Sequence, residues 1–242
     1  MSFSRGNPLF AVNVGNTNVQ FSLWDGSDFG PIESKPTHLF NSSDIPDGLP
    51  CAIASVVPSL DGLFKERGAF LLSASCRCGL DLSKMDVSTI GADRLANAMA
   101  LASGPSLPAL CVDFGTAITF ELLDEGSALL GGAILPGRKL QRRALNDFTA
   151  KLPLADLAQE LPAMPGRNTV EAIALGIDLG VVGAVRELLK SASELFPGKR
   201  LRVVACGGDA PFFLKAVPEI FEAGGSDFTL RGLVKAWEMN RP

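Results

Sequence analysis

The stretch that most constrains the fold lies at residues 9–26, where an apolar run ends in a glycine turn and a second apolar run follows. One polar residue, Asn13, interrupts the run at 9–14, which leads into the turn at 15–18. Val19, Phe21 and Leu23 then alternate with residues of other character. This pattern predicts a buried strand, a tight loop and a second strand that folds back on the first.

A similar arrangement recurs about a hundred residues later. The segment 110–116 is apolar up to Asp113, continues through Phe114, Gly115 and Thr116, and is followed by a second strand-like run at 117–120. Both places have an Asn or Asp, one spacer, and Gly with Thr close behind. Glycine lets the backbone approach a ligand closely, and the N–H groups and Thr hydroxyls can donate to phosphate oxygens. The two loops predict a duplicated fold that grips a phosphate between its halves.

Composition narrows the class of protein. The 242 residues are 47% hydrophobic and 20% charged, which is typical of one large globular domain or two of modest size. The net charge of −4 argues against nucleic acid as the main partner, but not against a nucleotide. No apolar run reaches membrane-spanning length, and the N-terminus lacks a signal-peptide core. The odd number of cysteines predicts reduced thiols, and therefore a cytoplasmic protein.

The rest of the chain predicts strands that alternate with helices. Ser59 is expected to cap a helix at 60–67, and Asn168 or Thr169 to cap a long amphipathic helix at about 170–196. In that helix Gly176, Gly180 and Gly183 lie on nearly one face, which permits close packing of another helix. The other expected elements are strands at 31–40, 51–57, 69–73, 128–135 and 201–205, and helices at 92–104, 138–148, 211–216 and 230–237.

Both the absence of several catalytic motifs and the presence of carboxylates beside the Gly/Thr loops indicate the class of reaction. There is no Walker-type loop and no G-x-S-x-G element, and the single histidine, His38, removes most Ser-His and Cys-His mechanisms. Carboxylates and amides beside Gly/Thr loops remain, which is the set that phosphoryl transfer needs. Asp93 and Asp113 are the best-placed carboxylates. Residue types alone favour a structural role for Asp93, stabilising a helix N-terminus, over catalysis.

Seven motifs, each weak alone, occur in order at fitting spacing along nearly the whole chain. They are N-V-G-N-T at 13–17, G-A-D-R at 91–94, D-F-G-T-A-I-T at 113–119, G-G-A-I-L-P-G at 131–137, T-A-K-L-P at 149–153, N-T-V-E-A-I at 168–173 and C-G-G-D-A at 206–210. Together they resemble a type III pantothenate kinase of the acetate- and sugar-kinase/Hsp70/actin superfamily. The resemblance implies an α/β fold with two ribonuclease-H-like (actin-like ATPase) halves, each a mixed sheet flanked by helices, at 1–108 and 109–242.

The resemblance also implies an activity and a set of site residues. The activity is ATP-dependent phosphorylation of the 4′-hydroxyl of pantothenate, the first step towards coenzyme A, with Mg²⁺ and a monovalent cation (K⁺ or NH₄⁺), in a homodimer with active sites at the subunit interface. Asp93 would be the general base, and Asp113 would hold the monovalent cation. The implied phosphate and nucleotide contacts are Asn13, Gly15, Asn16, Thr17, Gly115, Thr116, Thr119, Gly207 and Gly208. The implied pantothenate contacts are Gly91, Ala92, Arg94 and, from the partner subunit, Thr169.

Two departures from the family pattern leave alternatives open. Asn13 stands where the family has an Asp, so a full negative charge near the expected Mg²⁺ shell is lost. The chain has no Tyr, although the family usually places one shortly before G-x-D-R, where this chain has Lys84-Met85-Asp86. The alternatives are an active kinase, a kinase with weak or altered activity, and a non-enzymatic regulator on the same scaffold. A simple nucleotide-binding module would bind ATP without acceptor-dependent turnover.

Overall fold

A computed structural model describes residues 8–241 of the chain, which fold into two compact units. The first unit contains 8–105, 123–130 and 225–241, and the second contains 106–122 and 131–224. The units are discontinuous in sequence because the C-terminal helix belongs to the first one. The division into two ribonuclease-H-like halves at 1–108 and 109–242, which the resemblance implies, stays a prediction.

Eleven strands and six helices are described within residues 8–241. The strands are β1 (Leu9–Val14), β2 (Asn18–Trp24), β3 (Glu33–Pro36), β4 (Cys51–Ser55), β5 (Phe70–Leu71), β6 (Ala109–Phe114), β7 (Ala117–Leu123), β8 (Leu129–Gly131), β9 (Ile134–Pro136), β10 (Arg202–Cys206) and β11 (Glu222–Ala223). The helices are α1 (Pro58–Lys65), α2 (Ala92–Ala102), α3 (Arg138–Asp147), α4 (Thr169–Ser193), α5 (Ala210–Ala216) and α6 (Phe228–Asn240).

The first unit is built on a five-stranded mixed sheet in the order β3-β2-β1-β4-β5. The central strand β1 is antiparallel to β2 and parallel to β4. Helices α2 and α6 pack on each other, and Gly232 of α6 leaves no room for a Cβ because the carbonyl of Ala96 occupies that space. A buried hydrogen bond of 2.7 Å from Thr229 Oγ1 to Asn97 Oδ1 joins the same two helices. This close packing explains why the C-terminal helix belongs to the first unit.

The second sheet repeats the arrangement of the first. Its order is β11-β10-β6-β7-β8, with β9 paired antiparallel to β7. The strand β6 is parallel to β10, and β10 is parallel to β11, as β1 is to β4 and β4 is to β5. The predicted α/β fold with two mixed sheets flanked by helices is confirmed.

Three local predictions are wrong. Ser59 does not cap α1, because Pro58 is already the first helical residue and Val57 stands at the cap position without a side-chain hydrogen bond. The strand expected at 128–135 is broken into β8 and β9, because Gly131 adopts a φ of 120° that regular strands do not use. Only Glu33–Pro36 of the strand expected at 31–40 forms, because the chain then enters a short 3-10 helix at Thr37–Leu39.

The cysteines lie mostly in the cores. Cys51, Cys111 and Cys206 are buried, and Cys76 and Cys78 are half-buried. All five are free thiols, and burial raises the pKa of the Cys51 thiol to about 12 and that of Cys111 to about 11. Over residues 8–241, none of the helices has the length and apolar character that crossing a membrane requires.

Candidate active site

The first loop (residues 15–17) joins β1 to β2 and has the tight geometry that its glycine predicts. Gly15 N donates to Asn18 O at 3.0 Å, which closes the hairpin. The short 3-10 helix at Thr37–Leu39 stabilises the loop from outside, since Thr37 Oγ1 donates to Gly15 O at 2.7 Å and Thr37 N donates to Thr17 O at 3.0 Å. Asn16 and Thr17 are exposed at its tip. The loop therefore offers polar groups to solvent from a fixed backbone.

Asn13 stands just before this loop, with a side-chain oxygen that is buried and unsatisfied. The residue lies in register between Gln20 of β2 and Ala54 of β4. Its Oδ1 has no hydrogen-bond partner among the described residues. Buried acceptors are normally paired, so this oxygen is available to accept from a donor or to bind a cation.

Asp93 lies in the first turn of α2, where the helix N-terminus orients it. One carboxylate oxygen accepts from Arg94 N at 2.8 Å. Gly91 caps the helix, and a Cβ at that position would lie 2.6 Å from Asp93 Oδ1, so the glycine is what lets the carboxylate occupy this place. Burial raises the pKa of Asp93, against the lowering effect of the Arg94 N–H and charge. Ala92 and Arg94 flank it and are half-buried.

The second loop (residues 115–116) joins β6 to β7 in the second unit. Gly115 N donates to Ala117 O at 3.2 Å. The N-terminus of α3 packs directly on the loop, because Gly137 N donates to Thr116 O at 2.9 Å and a Cβ at Gly137 would overlap Gly115 O. Gly115 and Thr116 are exposed, and Asp113 at the end of β6 is half-buried, as is Thr119 in β7. The loop is thus fixed by backbone packing.

The turn at residues 207–209 follows β10 and lies against the end of β6. Gly207 has a φ of 90°, and a Cβ there would overlap Asp113 Oδ1 and lie 2.7 Å from Phe114 N. Asp209 N donates to Phe114 O at 2.9 Å. The structure therefore brings Gly207, one of the two predicted nucleoside contacts, beside the predicted cation ligand Asp113 within one unit.

A buried ion cluster behind this turn was missed by the sequence analysis. Arg138 and Arg142 of α3 are 2% and 1% exposed, and both pair with the fully buried Asp178 of α4. Arg138 also pairs with Asp209, with Nε to Oδ2 at 2.8 Å. The available signal was Asp178 itself, since a carboxylate inside the apolar run at 172–184 requires a cationic partner when it is buried.

The predicted pantothenate contact Thr169 is one of the residues that line a cavity of about 550 Å³ in the second unit. The cavity is lined by residues of α3, α4 and the segment between them, including Leu145, Arg167 and Ile173. Thr169 is exposed. Asn168 is occupied by capping α4, because its Oδ1 accepts from Glu171 N at 2.9 Å and its Nδ2 donates to Glu171 Oε1 at 2.7 Å.

The donors present fit hard cations that are held only partly by protein. Among residues 8–241 there is no cluster of three or more His, Cys, Asp or Glu that could hold a metal ion. Mg²⁺ in kinases is typically held by one or two protein oxygens together with substrate phosphates and water. The orphaned Oδ1 of Asn13 and the carboxylate of Asp113 suit that mode of binding.

Solved structures with similar folds cover nearly the whole chain. A Campylobacter jejuni protein described as a candidate Baf family transcriptional activator aligns with a TM-score of 0.66 at 20% identity, over 96% of this chain and 98% of its own. A Listeria monocytogenes protein described as a candidate N-acetylmannosamine kinase aligns with a TM-score of 0.55 at 14% identity, over 96% of this chain and 98% of its own. The chain therefore has the actin-like, ribonuclease-H-like fold.

Sequence comparison narrows this class to one family. The family model of type III pantothenate kinase matches residues 9–191. A type III pantothenate kinase from Legionella pneumophila (strain Corby) is 33% identical over 96% of this chain and 99% of its own length. One from Rubrobacter xylanophilus is 33% identical over 96% and 98%. The chain belongs to the type III pantothenate kinase family, which confirms the resemblance found in the motifs and makes it a kinase.

Proposed function

We propose that the chain transfers the γ-phosphoryl group of ATP to the 4′-hydroxyl of pantothenate, the first step towards coenzyme A. The family supports the reaction, and the observation that carries it is the half-buried, oriented Asp93 at the N-terminus of α2. A kinase needs one carboxylate to orient or deprotonate the acceptor hydroxyl. Asp93 has the matching chemistry, because the raised pKa makes its ionised form a stronger base.

The remaining groups would bind ATP and its ions. We assign phosphate contacts to the first loop, the second loop and Thr119, and nucleoside contacts to Gly207 and Gly208. The exposed polar residues of both loops, held on a fixed backbone, support this role, because preorganised donors stabilise developing negative charge. Asn13 would contribute an oxygen to the Mg²⁺ shell, and Asp113 would hold the monovalent cation. Bound Mg²⁺ would neutralise charge on the phosphates during transfer.

We further propose that pantothenate binding involves Gly91, Ala92 and Arg94 of one subunit and Thr169 of the partner subunit of a homodimer. The exposed surface of α4 supports close association, because Gly176, Gly180 and Gly183 have open space where a Cβ would be. A Gly180→Arg variant should fill that space and shift the dimer to monomer in sedimentation equilibrium. An unchanged mass would argue against an interface on α4. The free cysteines support a reducing, cytoplasmic location.

The central test is direct detection of the product. The purified chain is incubated with ATP, Mg²⁺, K⁺ and pantothenate, and 4′-phosphopantothenate is measured by mass spectrometry. We expect product from the wild type and a loss of about 10²- to 10⁴-fold in kcat for Asp93→Asn. Equal turnover by Asp93→Asn would remove Asp93 as the base.

A second candidate function has one observation in its favour, the amide at position 13. If the wild type makes no product while Asn13→Asp does, the natural chain is a kinase scaffold with a disabled metal site. A regulatory or accessory role would then be favoured over catalysis. ATP binding without any acceptor-dependent turnover in either variant would instead indicate a nucleotide-binding module.

A further inference from the structure

The N-terminus of α3 contacts two different parts of the second unit through consecutive residues. Gly137 is bonded to the second loop by the 2.9 Å hydrogen bond to Thr116 O. The next residue, Arg138, reaches the 207–209 turn through Asp209. A single helix end therefore touches both the predicted phosphate loop and the predicted nucleoside turn.

Arg138 is held on every side of its guanidinium group. Nε donates to Asp209 Oδ2 at 2.8 Å and Nη2 donates to Asp209 Oδ1 at 3.2 Å, which is a bidentate pair. Nη1 and Nη2 both donate to Ala158 O, at 3.2 and 3.1 Å. The guanidinium carbon lies 3.4 Å from the centre of the Phe212 ring. Only arginine offers a planar fork that satisfies a carboxylate and stacks on a ring at the same time.

Asp209 connects Arg138 to the 207–209 turn and to the end of β6. Its backbone N–H donates to Phe114 O at the end of β6, next to Asp113. Its carboxylate is anchored by Arg138, while Gly207, two residues earlier, packs without room for a Cβ against Asp113 and Phe114. Asp209 is thus held through both its backbone and its carboxylate, and Gly207 is held by close packing. Gly208 lies between these two residues and has little freedom to move relative to β6.

We propose that Arg138 is a positioning residue for the nucleotide: by holding Asp209, it fixes the 207–209 turn relative to the second loop. Arg138 is only 2% exposed, so we expect its effect on affinity for ATP and not on the reacting atoms. This role rests on the proposed function, because it assumes that Gly207 and Gly208 contact the nucleoside. A preformed turn binds more tightly because its ordering does not have to occur on binding.

The same cluster contains a matched control. Arg142 is equally buried and pairs with the same Asp178, with Nη2 donating to Oδ2 at 2.9 Å. Its other hydrogen bonds go to Asp156 O and Arg138 O, and none of those described goes to Asp209. A purely structural role for the cluster predicts the same consequence for changes at either arginine, whereas positioning of the turn predicts a difference.

The test measures equilibrium binding of Mg²⁺-ATP to the full-length chain by calorimetry, which needs no acceptor. Arg138→Lys keeps the positive charge but loses the fork, and Asp209→Asn keeps the shape but loses one acceptor. We expect each to weaken ATP binding about tenfold or more, as small displacements of a binding group do. The double variant should be no weaker than the worse single one, because both changes break one contact. Arg142→Lys should stay within about twofold of the wild type.

A variant that loses structure is identified by circular dichroism and thermal melting. If Arg138→Lys does not fold, Asp209→Asn decides, because that carboxylate is 26% exposed and its loss is milder. ATP affinity unchanged in folded Asp209→Asn, or lowered equally in Arg142→Lys, overturns the positioning role while leaving the kinase proposal intact. Absence of ATP binding by the wild type overturns both proposals at once.

Discussion

The two strand–loop–strand elements share one design but differ in how each is held. In both, Asn or Asp is the penultimate residue of the central strand, and a glycine begins the loop. The parallel neighbour lies in register, with Ala54 opposite Asn13 and Cys206 opposite Asp113. In the first unit, Ser55 lies opposite Val14. The next residue, Val56, donates its N–H to Val14 O at 3.0 Å. In the second unit the corresponding donor to Phe114 O comes one residue later, from Asp209.

That one-residue difference is made possible by glycine. Gly207 adopts a left-handed φ of 90°, so the chain after β10 bulges before it returns to β6. No left-handed residue is described at 55–57 after β4. The comparison teaches that a duplicated fold can keep its strand order while one copy gains an extra residue in the turn after a strand. The two loops also differ in what holds them: the first is bonded by the Thr37 side chain, and the second is packed against the backbone at Gly137.

The largest effect should come from crowding the second loop. Gly137→Ala places a Cβ onto Gly115 O and beside Thr116 O, both of them backbone atoms that cannot move aside cheaply. We expect the free energy of unfolding to fall by about 3 kcal/mol or more, measured by urea denaturation. Gly15→Ala in the first loop, where a Cβ would lie 3.0 Å from Asn18 O, should cost less.

A matched control separates crowding from the general effect of replacing glycine. Gly62→Ala lies in α1, where nothing is within 4 Å of the new Cβ. This change should stabilise the protein by about 0.5 to 1 kcal/mol, because alanine favours the helix. If Gly137→Ala is tolerated as well as Gly62→Ala, the second loop is not held by backbone packing.

Exchanging the acid and the amide before the two loops should show whether they bind different ions. Asn13→Asp should tighten the apparent affinity for Mg²⁺ in steady-state kinetics, and Asp113→Asn should weaken activation by K⁺, each by about tenfold, because hard cations prefer a full negative charge. Titrating each ion at saturating levels of the other measures both. A loss of Mg²⁺ affinity in Asp113→Asn with K⁺ activation intact would reverse the assignment.

The half-buried carboxylate of Asp93 predicts a gain in stability when its charge is removed. The pKa of Asp93 is raised by burial, so its stabilising contribution is present below the pKa of the unfolded chain and is lost as pH rises through the raised folded value. Asp93→Asn should therefore be more stable than the wild type at neutral pH, although inactive. The advantage should shrink as pH falls to the unfolded value, which thermal melts across pH will show.

Asp86 gives a control of opposite sign. Hydrogen bonds from the Ser88 hydroxyl and backbone lower the pKa of Asp86, so its contribution is present above the unfolded pKa and is lost as pH falls. Asp86→Asn should not gain stability at neutral pH. A gain in both variants would mean that reducing net negative charge, and not relief of burial at Asp93, stabilises the chain.

The smallest effect concerns the hydrogen bond that holds the first loop. Thr37→Val keeps the side-chain shape but removes the donor to Gly15 O, which should lower the free energy of unfolding by about 1 kcal/mol. Thr149→Val removes a bond from an exposed hydroxyl to Leu145 O and should change it by less than about 0.5 kcal/mol. Equal effects would mean that the first loop does not depend on Thr37.

Much of the fold was predictable because it depends on short-range patterns. The alternation at 19–23 and the glycine turns predicted β1, β2, β6 and β7, and the helical composition after Gly91 predicted α2. The wrong predictions lie where the conformation of a single residue ends an element. At Gly131, a positive φ divides the strand expected at 128–135. The orphaned oxygen of Asn13 could not be predicted, because burial without a partner depends on every neighbouring element.

The sequence by itself determined the order of strands and helices, the two glycine loops and the family, since these are written in local residue types and spacing. Only the tertiary structure decided that α6 packs on α2, that Arg138 faces Asp209 across 71 residues, and that Gly137 lies against Gly115. Such contacts depend on which side chains and backbone atoms folding brings together. The energies of these contacts depend on burial and on close approach of atoms distant in sequence, which cannot be predicted from local residue patterns.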